Sequence, residues 1–156
     1  MIRNAKMGDV KKIHTLLNHF AGEGLLLGRS YSALYDQLRD FKVYVDEDDN
    51  PVGICALHII WEDLAEIRSL AVSEEVQGKQ VGAKLVRACL QEAAQFEIGR
   101  VFTLTYQAGF FRKQGFYDVD KGDLPHKIWS DCINCPKFPD CDEEALQYDL
   151  HGQNSF

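Results

Sequence analysis

Hydrophobic residues recur along the first third of the chain with a helical period. After Asp9, apolar side chains follow at the three- and four-residue spacing of a helix that packs one face, and Gly22 and Gly24 predict its end. A second helix is expected to follow, because Ser30 or Ser32 can cap its first turn. The apolar face of the first helix consists of Val10, Ile13, Leu16, Leu17 and Phe20.

The pattern then changes to that of β-strands. Residues 41–45, 52–60 and 65–72 are rich in β-branched and aromatic side chains, and an Asp- and Asn-rich turn separates the first two stretches. This arrangement predicts antiparallel strands. Residues 2–5 could add a short edge strand.

The second half of the chain predicts one parallel connection. A strongly amphipathic helix over residues 81–96 lies between the strand at 65–72 and a further strand at 100–105, which is the pattern of a strand–helix–strand crossover. A short helix is expected over about 109–114. The fold class is therefore mixed α/β, with a largely antiparallel central sheet and flanking helices. We expect a single domain over residues 1–156, with a cysteine-containing tail from about 121.

Composition and charge narrow the classes of function. The 156 residues are 46% apolar and 26% charged, which is ordinary for one globular domain. Seventeen basic against 24 acidic residues give a net charge of −7, which argues against nucleic acid and anionic membranes as partners. No apolar run approaches the ~20 residues of a membrane span. Because the N-terminus lacks the apolar stretch of a signal peptide, a cytoplasmic location is expected.

The loop before the amphipathic helix has the composition of a phosphate-binding turn. Gly78 and Gly82 would let an anion approach the backbone, and Lys79 and Lys84 add positive charge. The first amides of a helix have no partner within it and point outward with the positive end of the dipole. An ordinary tight turn before a helix would explain the same residues.

The residues around this loop resemble a known family. Leu70, Ala71 and Val72, followed by Gln77-Gly-Lys-Gln-Val-Gly82, resemble motif A of the GNAT superfamily of N-acetyltransferases, which binds the pyrophosphate of acetyl-CoA. Gln77 and Gly82 match the ends of that motif, whereas Gln80 stands where a glycine is usual. Residues 110–116 resemble the family's later motif, in which a short helix packs along the pantetheine arm.

The resemblance implies acetyl-CoA as the cosubstrate. In this family two parallel strands splay apart, the pantetheine arm lies in the opening, and a backbone amide, here that of Leu70, is aimed at the thioester oxygen. The residues implied in cofactor binding are Leu70, Ala71, Val72, Gln77, Gly78, Lys79, Gln80, Val81, Gly82, Ala83 and Phe111.

Acetyl transfer to an amine requires a proton acceptor, and Glu66 is the candidate. The segment Ala-Glu-Ile resembles the one that carries the catalytic glutamate in histone acetyltransferases of the superfamily, and strand alternation predicts Glu66, Arg68 and Leu70 on one face. A solvated glutamate at a strand end is the alternative. The tyrosine that many members use as general acid is replaced by Phe111, so Tyr106 or a water molecule could protonate the leaving thiolate.

Two arginines indicate an acceptor that carries carboxylates. Arg29 and Arg68 each offer a guanidinium fork, although either alone is typical of a surface cation. Several segments resemble the acetyltransferase domain of N-acetylglutamate synthase, a family in which the arginine equivalent to Arg29 binds glutamate. In that family the tail supplies a further basic contact, for which Lys127 or Lys137 could serve. These segments are residues 25–30, 40–43, 55–57, 66, 104–105, 119–120 and 124–125.

The resemblance implies acetylation of the α-amine of L-glutamate in arginine biosynthesis, by a short form that lacks the kinase-like domain of the larger enzymes. A dianionic substrate would need a locally positive cleft on a chain of charge −7. Another amino acid, a small amine or a protein N-terminus remain as alternative acceptors. A non-catalytic acetyl-CoA sensor is the alternative from another class, and a homodimer is left open.

The other cysteines and histidines form no motif that is specific for catalysis or metal binding. Cys132, Cys135 and Cys141, with His126, could bind zinc, but a typical zinc site has two matched pairs and here there is one Cys pair and a singleton. Free thiols are therefore the preferred interpretation, and no metal ligand is assigned. Cys55 and Cys89 are expected in the core. Three other histidines, His14, His19 and His58, are expected to be structural.

Overall fold

The computed structural model describes residues 1–22, 29–124 and 143–150. Short 3-10 turns at Met7–Asp9, Leu38–Asp40, Glu74–Val76 and Lys121–Asp123 connect the longer elements. In chain order these are β1 (Ile2–Asn4), α1 (Val10–Gly22), α2 (Tyr31–Asp36), β2 (Phe41–Val45), β3 (Pro51–Trp61), β4 (Leu64–Val72), α3 (Val81–Gln95), β5 (Arg100–Thr105), α4 (Ala108–Lys113), β6 (Tyr117–Val119) and β7 (Glu144–Asp149).

The strands form one seven-stranded sheet in the order β1-β2-β3-β4-β5-β7-β6. β4 and β5 are parallel, whereas β1–β2, β2–β3, β5–β7 and β6–β7 are antiparallel pairs. The structure therefore confirms the mixed α/β fold, the edge position of β1 and the parallel connection through α3. The pairing of β4 with β5 covers Leu64↔Arg100, Ala65↔Val101 and Glu66↔Phe102.

The sequence analysis did not predict the last two strands, β6 before the tail and β7 within it. β7 pairs with β5 over six residues, from Arg100↔Asp149 to Thr105↔Glu144, and β6 pairs with its other side. Its sequence, Glu-Ala-Leu-Gln-Tyr-Asp, places two buried residues, Ala145 and Leu146, side by side instead of alternating. The strand is thus specified by its two neighbours, because β-propensity depends strongly on cross-strand context.

Backbone packing divides the chain into two compact units. The first comprises Met1–His58 and Ile67–Glu92. On one side of its strands, α1 and α2 pack on β2, β3 and β4, as the spacing predicted. This core consists of Val10, Ile13, Leu17, Leu34, Phe41, Val43, Val45, Ile54, Ala56 and Ala71.

Helix α3 packs closely on the other face of β3. A Cβ atom on Gly53 would lie 3.0 Å from Val81 Cγ1 and 3.1 Å from Leu85 Cδ1, so this position needs a glycine. Cys55 and Cys89 are fully buried, which confirms them as core residues. The hydrogen bond with Cys89, followed by burial, raises the pKa of the Cys55 thiol.

A buried ion pair ties the N-terminal strand to the turn before α1. Arg3 donates to both carboxylate oxygens of Asp9, at 2.7 and 3.1 Å, and Lys6 N donates to Asp9 at 2.7 Å. Arg3 also reaches Asp49 at 3.0 Å. Mainly through the hydrogen bonds from Arg3, the pKa of Asp9 lies below its usual value.

The second unit comprises Ile59–Glu66 and Ala93–Phe156. Its core cluster contains Leu64, Phe102, Leu124 and Ala145. At its surface, Arg112 of α4 forms a bidentate pair with Asp118 of β6, with both distances at 2.8 Å. This pair joins α4 to the strands that the sequence did not predict.

Candidate active site

Strand β4 carries five of the predicted site residues and contains one left-handed residue. Ser69 has a φ of +60°, although it is buried in the middle of the strand. A non-glycine residue in this conformation costs about 1–2 kcal/mol and is typical of a β-bulge, and bulges are frequent next to active sites. The left-handed residue lies between Arg68 and Leu70, where the sequence placed the catalytic and cofactor positions.

This residue changes which side chains share a face. Arg68 contacts Gln37, directly after α2, and Ala71 packs in the core under α1 and α2. Unbroken alternation would place Arg68 and Ala71 on opposite faces, so the bulge shifts the alternation by one residue. Glu66 precedes the bulge and keeps the parity of Arg68. The prediction that Leu70 shares their face was wrong, because a sequence pattern does not reveal a left-handed serine.

The loop after β4 contains two residues with a left-handed backbone. Gly78 has a φ of +85°, and Gln80 has a φ of +63°. Gln77 Nε2 donates to Val72 O at 3.1 Å, so this side chain ties the loop to the end of β4. Lys84 N donates to Gln80 O at 3.0 Å, and the three amides before Lys84 therefore belong to the first turn, where no intrahelical acceptor exists.

Gln80, which stands where the resembling motif usually has glycine, adopts a left-handed conformation that glycine adopts without strain. Its side chain is exposed, as are those of Gln77 and Lys79. The replacement of glycine by Gln80 is thus accompanied by a left-handed backbone at this position. Its cost is steric strain at one residue, about 1 kcal/mol.

A polar cluster that the sequence analysis missed surrounds Arg68. Arg68 Nη2 donates to Gln37 Oε1 at 3.1 Å, and His58 Nδ1 lies 2.7 Å from Asp40 Oδ2. Gln37 and Asp40 are the two ends of one 3-10 turn, in which Asp40 N donates to Gln37 O at 3.0 Å. We call these four residues the polar cluster. Its partners lie 18 and 31 residues apart along the chain, so no local motif could have indicated it.

The remaining predicted residues have distinct surroundings. Arg29 is half-buried, directly before Ser30, whose Oγ accepts from Ala33 N at 3.1 Å and caps α2. Glu66 is buried, with 8% of its surface exposed. Tyr106 is half-buried directly after β5. Phe111 is buried in α4, where its ring packs edge to face on Phe110 and Phe116.

The cysteine cluster and the basic tail residues lie outside the described part of the chain. They are His126, Lys127, Cys132, Cys135, Lys137 and Cys141. Within residues 1–22, 29–124 and 143–150, no group of three His, Cys, Asp or Glu side chains could hold a metal ion. None of the helices in the same ranges is long and apolar enough to span a bilayer.

Comparisons with known proteins agree with this geometry. Residues 11–117 match the acetyltransferase (GNAT) family. The chain is 40% identical to an uncharacterized N-acetyltransferase of Chlorobaculum tepidum, over 93% of each chain. It is 35% identical to an amino-acid acetyltransferase of Mycobacterium tuberculosis, over 84% of this chain and 76% of that relative.

The chain is also similar to a solved structure that contains bound ligands. The N-acetylglutamate synthase of Neisseria gonorrhoeae, complexed with coenzyme A and N-acetyl-glutamate, superposes with a TM-score of 0.87 at 28% identity. The match covers 97% of this chain but 35% of that one, so this chain corresponds to a part of the synthase. The predicted resemblance is confirmed: the chain belongs to the GNAT family and is an N-acetyltransferase that uses acetyl-CoA.

Proposed function

We propose that this acetyltransferase transfers the acetyl group to the α-amine of L-glutamate, the reaction of arginine biosynthesis that the resemblance implies. The observation that carries the proposal is the pair Glu66 and Arg68. They stand two residues apart on β4, before the left-handed Ser69, and Gln37 fixes the guanidinium of Arg68. Glu66, whose carboxylate can accept a proton, thus shares a strand face with Arg68, whose oriented guanidinium can bind a carboxylate of the substrate.

The cofactor would be held mainly by backbone. We propose that the pyrophosphate of acetyl-CoA binds the amides of the loop at residues 77–83, where Gly78 and Gln80 turn the chain and Lys79 adds charge. The pantetheine arm would follow Leu70, Ala71 and Val72. The Leu70 amide would donate to the thioester oxygen, which becomes negatively charged during transfer. Phe111 would line the arm.

In the proposed chemistry the amine attacks the thioester carbonyl while Glu66 takes a proton from its nitrogen. A positioned general base of this kind contributes roughly 10²–10⁴-fold to the rate. When the C–S bond breaks, the CoA thiolate gains a proton from Tyr106, or from a water molecule. Phe111 has no hydroxyl, so it cannot supply this proton.

Recognition of glutamate would rest on two guanidinium groups. Arg29 precedes α2 and Arg68 contacts Gln37, which follows α2, so the two guanidinium groups are associated with opposite ends of this helix. A six-residue helix is only about 9 Å long, which is a span that two long side chains can bridge toward one small dianion. Arg29 is proposed for one carboxylate and Arg68 for the other. Local positive charge of this kind can attract a dianion to a protein of net charge −7, because surface fields depend on where the charges lie. The names of the M. tuberculosis and N. gonorrhoeae relatives support an amino-acid acceptor.

The test is the release of CoA thiol from acetyl-CoA in the presence of each of the twenty amino acids. The proposal predicts a saturable rate with L-glutamate that exceeds the rate with every other amino acid. In the Arg29→Ala protein that rate should fall while acetyl-CoA binding is retained. The Arg39→Ala protein is the matched control, since Arg39 lies in the turn after α2 and has no proposed role.

Other outcomes would replace the proposal. Turnover with other amines but not with glutamate would retain the cofactor site and remove the roles of Arg29 and Arg68. Tight acetyl-CoA binding without turnover would favour a sensor or a protein acceptor. Full glutamate activity in Arg29→Ala would remove the role of that arginine alone.

A further inference from the structure

The proposed reaction leaves one proton without an assigned acceptor. At neutral pH the acceptor enters as an ammonium, and its conversion into an amide removes two protons from nitrogen. The leaving thiolate takes up one, and one is released overall. Glu66 accounts for the proton lost as the C–N bond forms. The proton that must leave first, so that the nitrogen has a lone pair, needs another acceptor.

His58 has the geometry of such an acceptor. Its Nδ1 lies 2.7 Å from Asp40 Oδ2. Because an ionised carboxylate only accepts hydrogen bonds, the ring proton lies on Nδ1 and the lone pair of the neutral ring lies on Nε2. Asp40 therefore selects the tautomer that can take a proton at Nε2, and it accepts the hydrogen bond from Nδ1 both before and after that proton arrives.

His58 also has the required access. Its side chain is 31% exposed, and no hydrogen bond from Nε2 to another residue occurs within the described ranges. The 3-10 turn that holds His58 through Asp40 holds Arg68 through Gln37 at its other end. Three residues of a 3-10 helix rise about 6 Å, so the two anchoring points are close enough for one small amino acid to reach both side chains.

One charged group contacts His58 directly in the described part of the chain. It is Asp40, which faces the ring from the turn after α2. The next strand, β4, carries Arg68, and the residues of β2 in the core under α1 and α2 are apolar: Phe41, Val43 and Val45. Asp40 is therefore the group that orients the imidazole.

We propose that His58, oriented by Asp40, takes the first proton from the ammonium of the acceptor. The proton moves from the substrate nitrogen to Nε2, and the nitrogen lone pair then attacks the thioester carbon. Glu66 takes the second proton as the C–N bond forms, and when the C–S bond breaks the CoA thiolate takes a proton from Tyr106 or from a water molecule. The protons on His58 and Glu66 leave to solvent after product release, so one proton is released overall. This assignment rests on the proposed function. His58 was expected to be structural, and Asp40 is here a positioning residue.

The test compares His58→Gln and Asp40→Asn with the His19→Gln control, a half-exposed histidine on α1. At pH 7, kcat/KM for L-glutamate should fall about 100-fold in His58→Gln and less in Asp40→Asn, with KM for acetyl-CoA unchanged. In both variants kcat/KM should then recover by nearly tenfold per pH unit, because free amine forms in solution. The wild type and His19→Gln should respond less steeply to pH.

Three results would overturn the assignment. One is a wild-type kcat/KM in His58→Gln at pH 7, and another is a pH profile parallel to that of the wild type. If His58→Gln does not fold, as judged by circular dichroism, a wild-type profile in Asp40→Asn overturns the assignment in its place. Wild-type protein that binds acetyl-CoA but acetylates no amine would instead remove the proposed function itself.

Discussion

The loop after β4 and the polar cluster beside it are built by opposite means. The loop uses contiguous residues, and its shape comes from backbone conformation at Gly78 and Gln80. The cluster uses side chains from separate segments, joined by the Arg68–Gln37 and His58–Asp40 hydrogen bonds. If this loop binds the cofactor through its backbone, it should tolerate a new side chain wherever φ is kept, as at Gln80. A side-chain site should not, because each group there has a specific donor or acceptor.

The largest effect is expected at Glu66, whose side chain is proposed to take part in the reaction itself. In Glu66→Gln the volume is retained but the proton acceptor is lost, so kcat should fall about 100- to 1,000-fold. The KM for acetyl-CoA should remain within about twofold, since no loop residue changes. Steady-state kinetics with L-glutamate measures both quantities. Glu62→Gln, in the exposed turn before β4, is the control, and an equal loss there would contradict the role of Glu66.

A substitution of Arg68 should weaken binding of the acceptor and leave binding of acetyl-CoA unchanged. Arg68→Ala removes a charged hydrogen-bond donor and should raise KM for L-glutamate by roughly 10- to 100-fold, or about 1.5–3 kcal/mol. Gln37→Ala should act in the same direction but more weakly, because the guanidinium remains. The control is Arg87→Ala on the exposed face of α3. If Arg68→Ala raised KM for acetyl-CoA instead, the division between the two sites would be wrong.

Asp9 provides a comparison with a region that has no proposed contact with either substrate. Asp9→Asn breaks the buried pair with Arg3 and should lower the free energy of unfolding by about 2 kcal/mol, with kcat/KM unchanged. The folded protein lowers the pKa of Asp9, so this contribution is present above the unfolded pKa of ~3.9 and is lost as pH falls through the folded value.

Urea unfolding at several pH values tests whether the stabilising contribution of Asp9 is lost as the pH falls. The wild type should lose more stability below about pH 4 than Asp9→Asn, so the difference between the two should shrink on acidification. A difference that stays constant from pH 7 to pH 3 would show that the Arg3–Asp9 pair does not supply it.

The smallest effects are expected in the loop. Gln80→Gly relieves the left-handed strain but adds entropy to the unfolded chain, so stability should change by less than about 1 kcal/mol. The KM for acetyl-CoA should change by no more than about twofold, because the backbone conformation is retained. Gly78→Ala has room for its Cβ but not for its φ of +85°, so it should raise this KM somewhat more. A tenfold loss in Gln80→Gly would mean that the Gln80 side chain itself binds the cofactor.

The contrast between contiguous residues and residues brought together by folding also explains which features the sequence could predict. Periodicity located α1, α3 and the strands β2 to β5, because each buries one face locally. The motif located the loop, because a turn between a strand and a helix is a local event. β7 escaped prediction because its pairing with β5 joins residues 39 to 49 positions apart along the chain. The Ser69 bulge and the His58–Asp40 pair escaped for the same reason, since tertiary packing and side-chain partners impose them.

The most direct test of the account is a crystal structure of the protein with CoA and N-acetyl-L-glutamate. The account predicts pyrophosphate oxygens within about 3.2 Å of the amides at residues 77–83, and a carboxylate of the product within the same distance of the Arg68 guanidinium. The α-nitrogen should then lie within hydrogen-bond reach of His58 Nε2, directly or through one water molecule. A pyrophosphate away from this loop, or a product carboxylate held by neither Arg68 nor Arg29, would contradict it.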